Sequence, residues 1–160
     1  MPTWSLKHFD DLTPRELYAI LALRMDIFII EQACLYQDID GKDLPCLHLM
    51  AWNDDQTLAA SARIVPPGVT FDEPSIGRVT VARRDRRTGL GRELMLRAIE
   101  ECDRLYPHLA IQIGAQFYLR DFYSSLGFRP VGEIYNEDGI PHLHMIRPVT
   151  GVGNLEFVAE

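Results

Sequence analysis

The chain has 160 residues, 47% hydrophobic and 24% charged, which suits one globular domain with a sizeable core. Acidic residues outnumber basic ones 23 to 16, and the formal net charge of -7 argues against general nucleic-acid binding. No apolar run approaches the ~20 residues of a membrane span. The first residues lack the basic region and apolar core of a signal peptide, and Cys34, Cys46 and Cys102 are widely spaced with no Cys-x-x-Cys, so a cytoplasmic protein with reduced thiols is expected.

Residues 4–9 read as a first strand. Thr13-Pro14-Arg15-Glu16 is a capping box with proline at the first helical position. The helix it starts carries Leu17, Ile20, Leu21, Arg24, Phe28 and Glu31 on or near one face and reaches about Ile30. Residues 31–43 are too polar and turn-rich for one long element and predict a short helix or a loop. Residues 46–52 and 57–65 read as strands joined by Asn53-Asp54-Asp55-Gln56, and Pro66-Pro67-Gly68 opens a surface loop to Pro74.

Residues 76–82 alternate β-branched with small or polar side chains, as a strand does. Leu90, Leu94, Met95, Ala98, Ile99 and Cys102 then recur at helical spacing. Residues 108–115 predict a buried strand, 117–126 a short helix closed by Gly127, and 128–136 with 140–147 a hairpin around Asp138-Gly139. The helix between the fourth and fifth strands implies a parallel pair. The expected architecture is mixed α+β: a central, mostly antiparallel sheet of about seven strands with that one parallel pair, flanked by helices. No repeat, low-complexity tract or internal boundary divides residues 1–148, and residues 149–160 form a tail.

Between the fourth strand and its helix lies Arg86-Arg87-Thr88-Gly89-Leu90-Gly91-Arg92. The first turn of a helix presents amides with no partner inside the helix, and its dipole favours negative charge. Glycine lets a phosphate approach that backbone closely. The Gly-x-x-x-x-Gly-Lys-Ser/Thr and Gly-x-Gly-x-x-Gly spacings are absent. Against the acidic background Arg83, Arg84, Arg86, Arg87 and Arg92 cluster here, which suits a small polyanion.

Arg-x-x-Gly-x-Gly after a β-branched strand resembles the pyrophosphate motif of the GCN5-related N-acetyltransferases (GNAT superfamily), and the order of elements is similar to theirs. Phe122-Tyr123-Ser124-Ser125-Leu126-Gly127-Phe128 resembles a second signature of that superfamily. A narrower resemblance, to its ElaA-type branch, rests on several strings. These are Arg24, 28–32 (Phe-Ile-Ile-Glu-Gln), 36–41 (Tyr-Gln-Asp-Ile-Asp-Gly), His48, 76–79, 114–116 and 137–142.

The resemblance implies the acyl-CoA N-acyltransferase fold and an acetyl transfer from acetyl-CoA to a primary amine, on a small molecule or a protein lysine. It implies that Arg86, Arg87, Thr88, Gly89, Leu90, Gly91 and Arg92 hold the pyrophosphate. The main chain of Val79 and Val81 would face the pantetheine arm, one amide polarising the thioester. Gln116 stands where the superfamily often has a cofactor-contacting asparagine. Tyr123 is the candidate general acid, or else a packing residue between helix and sheet. For the general base three candidates stand: Glu31, His48 and His142, directly or through water. His142 and His144 share a strand face, but with no third ligand assured no metal is expected. Arg24, Arg63 and Arg78 either meet an acidic substrate group or pair with the nearby carboxylates. The rival readings are a non-catalytic CoA-binding sensor and a phosphate or nucleic-acid binder using the arginines. A homodimer is compatible with all three.

Overall fold

Thr13 starts the first helix as its sequence predicts. Its hydroxyl accepts from the Glu16 amide at 3.1 Å, and the Glu16 carboxylate accepts from the Thr13 amide at 2.8 Å. Pro14 takes the first position, where a missing N–H leaves no bond unmade. In the computed structural model, which describes residues 1–149, α1 spans Pro14–Arg24 and continues as a π-helix over Met25–Glu31. The inward stripe is Ile20, Leu23, Arg24 and Ile27, while Leu17, Leu21 and Phe28 are half-buried and Glu31 is exposed. The predicted face was therefore one residue off centre. All of the predicted tail after Val149 lies outside the described residues.

The described residues pack as two compact units, Met1–Val65 with Ile76–Ile99, and Pro66–Ser75 with residues 100–149. In the first, β1 (Thr3–His8), β2 (Leu47–Trp52), β3 (Leu58–Val65) and β4 (Ser75–Val81) form a sheet in that order. β1 with β2 and β2 with β3 are antiparallel. Every residue of β3 is buried, so this strand lies inside the sheet with both faces covered. Ile20, Leu23 and Ile27 of the first helical segment pack with Met50 and Leu58, and Phe28, Trp52 and Ala82 border them.

α2 spans Leu90–Leu105 and buries the six residues whose spacing predicted it: Leu90, Leu94, Met95, Ala98, Ile99 and Cys102. In the second unit β5 (Ile111–Gln116), β6 (Arg129–Glu137) and β7 (Ile140–Arg147) form an antiparallel sheet in the order β5-β7-β6. A 3₁₀ turn, Phe117–Leu119, leads into α3 (Arg120–Ser124), and Gly127 beyond it has φ +97°. β5 begins later than expected. Pro107 cannot continue α2, and His108 turns left-handed at φ +69°, so the predicted start of that strand is spent on a turn.

The fold class is the expected one, mixed α+β with antiparallel ladders and three α-helices. The seven strands divide, however, between two hydrogen-bonded sheets rather than one: β4 ends the first and β5 begins the second. The physical reason is local. Hairpins close their ladders through short turns, whereas a parallel neighbour must be reached by a long crossover. No helix among the described residues is long and apolar enough to cross a membrane.

One buried ionic cluster fixes the segment after the π-helix. Arg24, 1% exposed, donates from Nε to Asp38 at 2.9 Å and from Nη1 and Nη2 to Asp43 at 2.8 and 3.1 Å. Arg63 binds Asp40 through two nitrogens, both at 2.9 Å, and Asp43 at 3.0 Å. Arg78 Nε lies 2.7 Å from Asp38, and Nη2 donates to Asp40 at 3.2 Å. Three cations and three anions thus cancel. The predicted alternatives for these arginines resolve in favour of pairing.

Burial alone would raise the Asp40 and Asp43 carboxyls, but hydrogen bonds from Arg63 and Arg24 outweigh it and hold both below the usual carboxylate range. Their stabilisation is complete above the unfolded carboxyl pKa of about 4 and is lost as pH falls below it, when the unfolded chain binds protons first. Unfolding by urea should accordingly require less denaturant as pH drops from 5 towards ~3. At neutral pH, Arg24→Met should destabilise by about 3–5 kcal/mol, because it breaks the charge balance of the buried cluster and leaves Asp38 with Arg78 alone and Asp43 with Arg63 alone as counter-charges.

Candidate active site

The turn between β4 and α2 is shaped by backbone conformation. Arg78 sits within β4 at φ +48°, an interruption of the kind that bends a strand and re-aims its neighbours. After a 3₁₀ turn at Arg83–Asp85 the chain turns left-handed twice, at Arg87 (φ +62°) and Gly89 (φ +83°). Around Gly89 no atom lies within 4 Å of where a Cβ would stand, so glycine is needed for its conformation and the approach is open. A Cβ on Gly91 would meet Val81 at an ordinary 3.6 Å. Thr88 Oγ1 donates to the Asp85 carbonyl at 2.8 Å and braces the turn. The first helical bond of α2 runs from the Glu93 amide to the Gly89 carbonyl at 3.1 Å, so the Leu90 and Gly91 amides lie ahead of it, at the helix end that attracts anions.

The arginines around this turn are not a free basic cluster. Arg83 pairs with Asp26 at 2.6 Å and Arg84 with Asp55 at 2.9 Å. The Asp55 carboxyl is held down at about 2, chiefly by hydrogen bonds from Thr57 and Arg84. Arg86 grips both oxygens of Glu31 at 2.6 Å and donates from Nε to the Val81 carbonyl at 3.3 Å. Asp38, Asp40 and Asp43 of the following loop belong to the buried cluster, whereas Glu31 faces the turn before α2. Its hydrogen bonds with Arg86 hold its carboxyl below the usual range.

His48 lies in β2 at 2% exposure, with Nε2 3.0 Å from the Asp43 carbonyl. A carbonyl only accepts, so Nε2 carries the proton. Burial favours the neutral ring and pushes its pKa down. Cys34, Cys46 and Cys102 are all buried and free of disulfides. Burial pushes the Cys46 thiol up to about 11 and the Cys102 thiol to about 12.

The second unit carries Tyr123, Gln116 and His142. Tyr123 is 8% exposed, its ring edge-on to Phe122 and Phe128, and burial pushes its phenol up to about 12. Register places Gln116 opposite His142, and His142 opposite Tyr135, so the three form one row across the sheet. The next row holds Gly114 and His144. The opposite face buries Ile111, Ile113, Ala115, Leu143 and Met145. Over Gly114 stands the Tyr135 hydroxyl, 3.0 Å from where a Cβ would be.

Val79, Val81, Glu31 and the residues 86–92 are thus gathered in one unit, and Tyr123, Gln116 and His142 in the other, while His48 belongs with the buried ionic cluster. Sequence reasoning overlooked Arg78's left-handed backbone, for which the preceding Gly77 was the sole cue. It also overlooked Tyr135 and Glu137. Counting back from the two-residue Asp138-Gly139 turn would have put Tyr135 across from His142. Among the described residues no group of three His, Cys, Asp or Glu side chains is arranged to hold a metal ion.

Residues 24–148 match the family model described as an acetyltransferase (GNAT) domain. The protein ElaA of Escherichia coli is 42% identical over 151 residues, 93% of this chain and 98% of that protein. Its crystal structure superposes with a TM-score of 0.86 over 92% of this chain and 99% of the other. An acyl-CoA N-acyltransferase from Pseudomonas aeruginosa, also 42% identical, superposes with a TM-score of 0.88 over 92% of this chain and 99% of its own.

The Glu31–Arg86 pair makes a measurable demand on the turn. A phosphate bound at this turn would share Arg86 with a carboxylate, so if coenzyme A binds there Glu31→Gln should tighten it by roughly 3–10-fold in calorimetry, as expected for relief of competition for a charge-assisted bond. An unchanged Kd would mean that backbone amides alone do the holding.

Proposed function

The chain belongs to the GNAT acetyltransferase family, and from that premise we propose that it transfers an acetyl group from acetyl-CoA to a primary amine by direct attack in a ternary complex. The observation that carries the proposal is the open, left-handed Gly89 at the start of α2, where glycine is required and nothing of the chain fills the approach. The residues present fit a pyrophosphate: the first-turn amides from Leu90 onward, Arg86 once it is drawn from Glu31, and the exposed Arg87 and Arg92. Acetyl-CoA supplies the acyl group as a thioester.

The chain's own groups have distinct tasks in this proposal. A main-chain amide of Val79 or Val81, on the last strand of the first sheet, donates to the thioester carbonyl; a donor aimed at a developing oxyanion is typically worth about 10²–10³ in rate. Tyr123, assigned by its place in the second signature, returns a proton to the departing thiolate. Its phenol, pushed up to about 12, stays protonated through neutral pH. It gives that proton to a sulfur of ordinary thiol pKa about 8.5 only where the hydroxyl is held against it. Gln116 takes the cofactor-contacting position.

Of the three base candidates, His142 is favoured. Glu31 is tied to Arg86 and is a weak base while so held. His48 is buried with its Nε2 proton committed. His142 Nδ1 lies 2.8 Å from the Ile140 carbonyl and so carries the proton, leaving Nε2 with a lone pair. Direct attack is favoured over an acyl-enzyme because burial keeps Cys46 and Cys102 as thiols. The pairing of Arg83, Arg84 and Arg86 with carboxylates weighs against a nucleic-acid or phosphoprotein binder. The reading extends to a cytoplasmic enzyme whose acceptor is a small amine or a protein lysine.

Acetyl-CoA at a hundred times its Kd should add about 2.7 kcal/mol of stability, a rise in Tm of roughly 5–10 °C for a domain of this size; no shift at millimolar ligand would end the proposal. Tyr123→Phe should lower kcat by about 10²–10⁴ while leaving coenzyme A affinity unchanged, measured as thiol release over an amine library. A variant with full turnover would remove Tyr123 from the chemistry, and a wild type with ligand binding but no turnover on any amine would favour a coenzyme A sensor.

A further inference from the structure

The β6–β7 hairpin sets Glu137 and Tyr135, which the acetyl-transfer scheme does not use, beside His142, which it takes as the base. Glu137 ends β6, and its Oε2 lies 3.4 Å from His142 Nε2. With the neutral ring's proton on Nδ1, facing the Ile140 carbonyl at 2.8 Å, Nε2 is an acceptor. Two acceptors, a lone pair and a carboxylate oxygen, therefore lie 3.4 Å apart, close enough for one group with two N–H bonds to donate to both from alongside. An ammonium group does so and also answers the carboxylate's charge.

Aromatic surface borders the same place. The Tyr135 ring lies 5.7 Å from the His142 ring and 4.8 Å from His144, and Phe71 is edge-on to His144 at 5.3 Å. Tyr135 is set opposite His142 by the register of the Asp138-Gly139 turn, and beyond it the register shifts between Val131 and Tyr135, where Gly132 turns left-handed at φ +80°. Its hydroxyl rests over Gly114, where a side chain would displace it. An electron-rich ring face beside a carboxylate attracts an ammonium group. The Glu137 side chain is 60% exposed against 11% for His142, so the approach lies along the carboxylate.

We propose that Glu137, His142 and Tyr135 form the seat for the acceptor's ammonium group, which makes the acceptor an alkylammonium compound or lysine side chain rather than a neutral arylamine or hydroxyl. The ammonium donates to Glu137 Oε2 and His142 Nε2 with its alkyl stem along the Tyr135 ring. Proton transfer then breaks one ammonium N–H bond and forms Nε2–H. The free amine keeps the electron pair needed for attack, and the charge remains as an imidazolium facing Glu137. Glu137 binds the substrate and steadies the charged ring. The seat rests on the amine-acetylation reading for its purpose, but its occupancy can be read without turnover.

Two measurements test it. In long-range ¹H–¹⁵N spectra of histidine-labelled protein, neutral His142 should be the Nδ1–H tautomer, and butylammonium should shift its Nε2 resonance while butanol at equal concentration does not. In kinetics with a primary alkylamine, Glu137→Gln and Tyr135→Leu should each raise KM about tenfold, the size of a lost charged hydrogen bond for the first and of a lost cation–π contact for the second, with coenzyme A Kd unchanged; Glu137 is exposed, so its variant reports binding and not folding. An Nε2–H tautomer, a His142 resonance indifferent to butylammonium, or an unmoved KM in both variants would overturn the seat. If butylammonium moves the resonance and no amine is turned over, the seat stands and the acetylation reading falls. If turnover persists with KM unmoved, acetylation stands and the seat falls.

Discussion

A guanidinium group with 1% of its surface in solvent has no stable existence unless carboxylates surround it, and Arg24 makes this requirement the pivot of the first unit. It stands where α1 passes into the π-helix and draws Asp38 and Asp43 back from a loop with little regular structure of its own. Arg63 and Arg78 complete the charge balance from β3 and β4. The loop is therefore fixed by ions rather than by a hydrophobic stripe. With the loop held, the π-helix ends at Glu31, and Glu31 reaches Arg86 on the anion turn. One continuous helical segment thus anchors the buried cluster at Arg24 and meets the basic turn at Glu31.

That coupling changes how the basic turn is to be understood. A chain with net charge -7 would seem to concentrate its positive charge there to attract a polyanion. Instead Arg83, Arg84 and Arg86 each have a carboxylate within 3 Å. What distinguishes the turn is geometry: two left-handed residues, an open approach at Gly89 and amides ahead of the first helical bond. Amides are dipoles that do not titrate and that no counter-charge neutralises, whereas paired arginines respond to whatever competes for them. The turn accordingly presents dipolar amides inside a rim of paired arginines.

The second unit is organised by register. A two-residue turn with positive φ at both Asp138 and Gly139 aligns β6 with β7, and from that alignment Tyr135 must lie across from His142 and Gln116 beyond it. One face of the sheet is apolar and buried, and the other collects imidazole, phenol and amide groups. The division follows from the two-residue period of a strand.

Much of this was legible in the linear chain. The capping box at Thr13, the six buried residues of α2, the Asp138-Gly139 hairpin and both family signatures are short-range patterns whose physics is local. Backbone propensity, side-chain period and turn chemistry decide them within a few residues. Tertiary structure alone decided where the charges went and how the strands were shared between sheets. Which carboxylate meets which guanidinium depends on contacts up to 57 residues apart in sequence, as between Asp26 and Arg83, and no spacing rule encodes them. Coulombic attraction carries no sequence period, so Arg24, Arg63 and Arg78 could be named as candidates from the chain but assigned partners only in the fold.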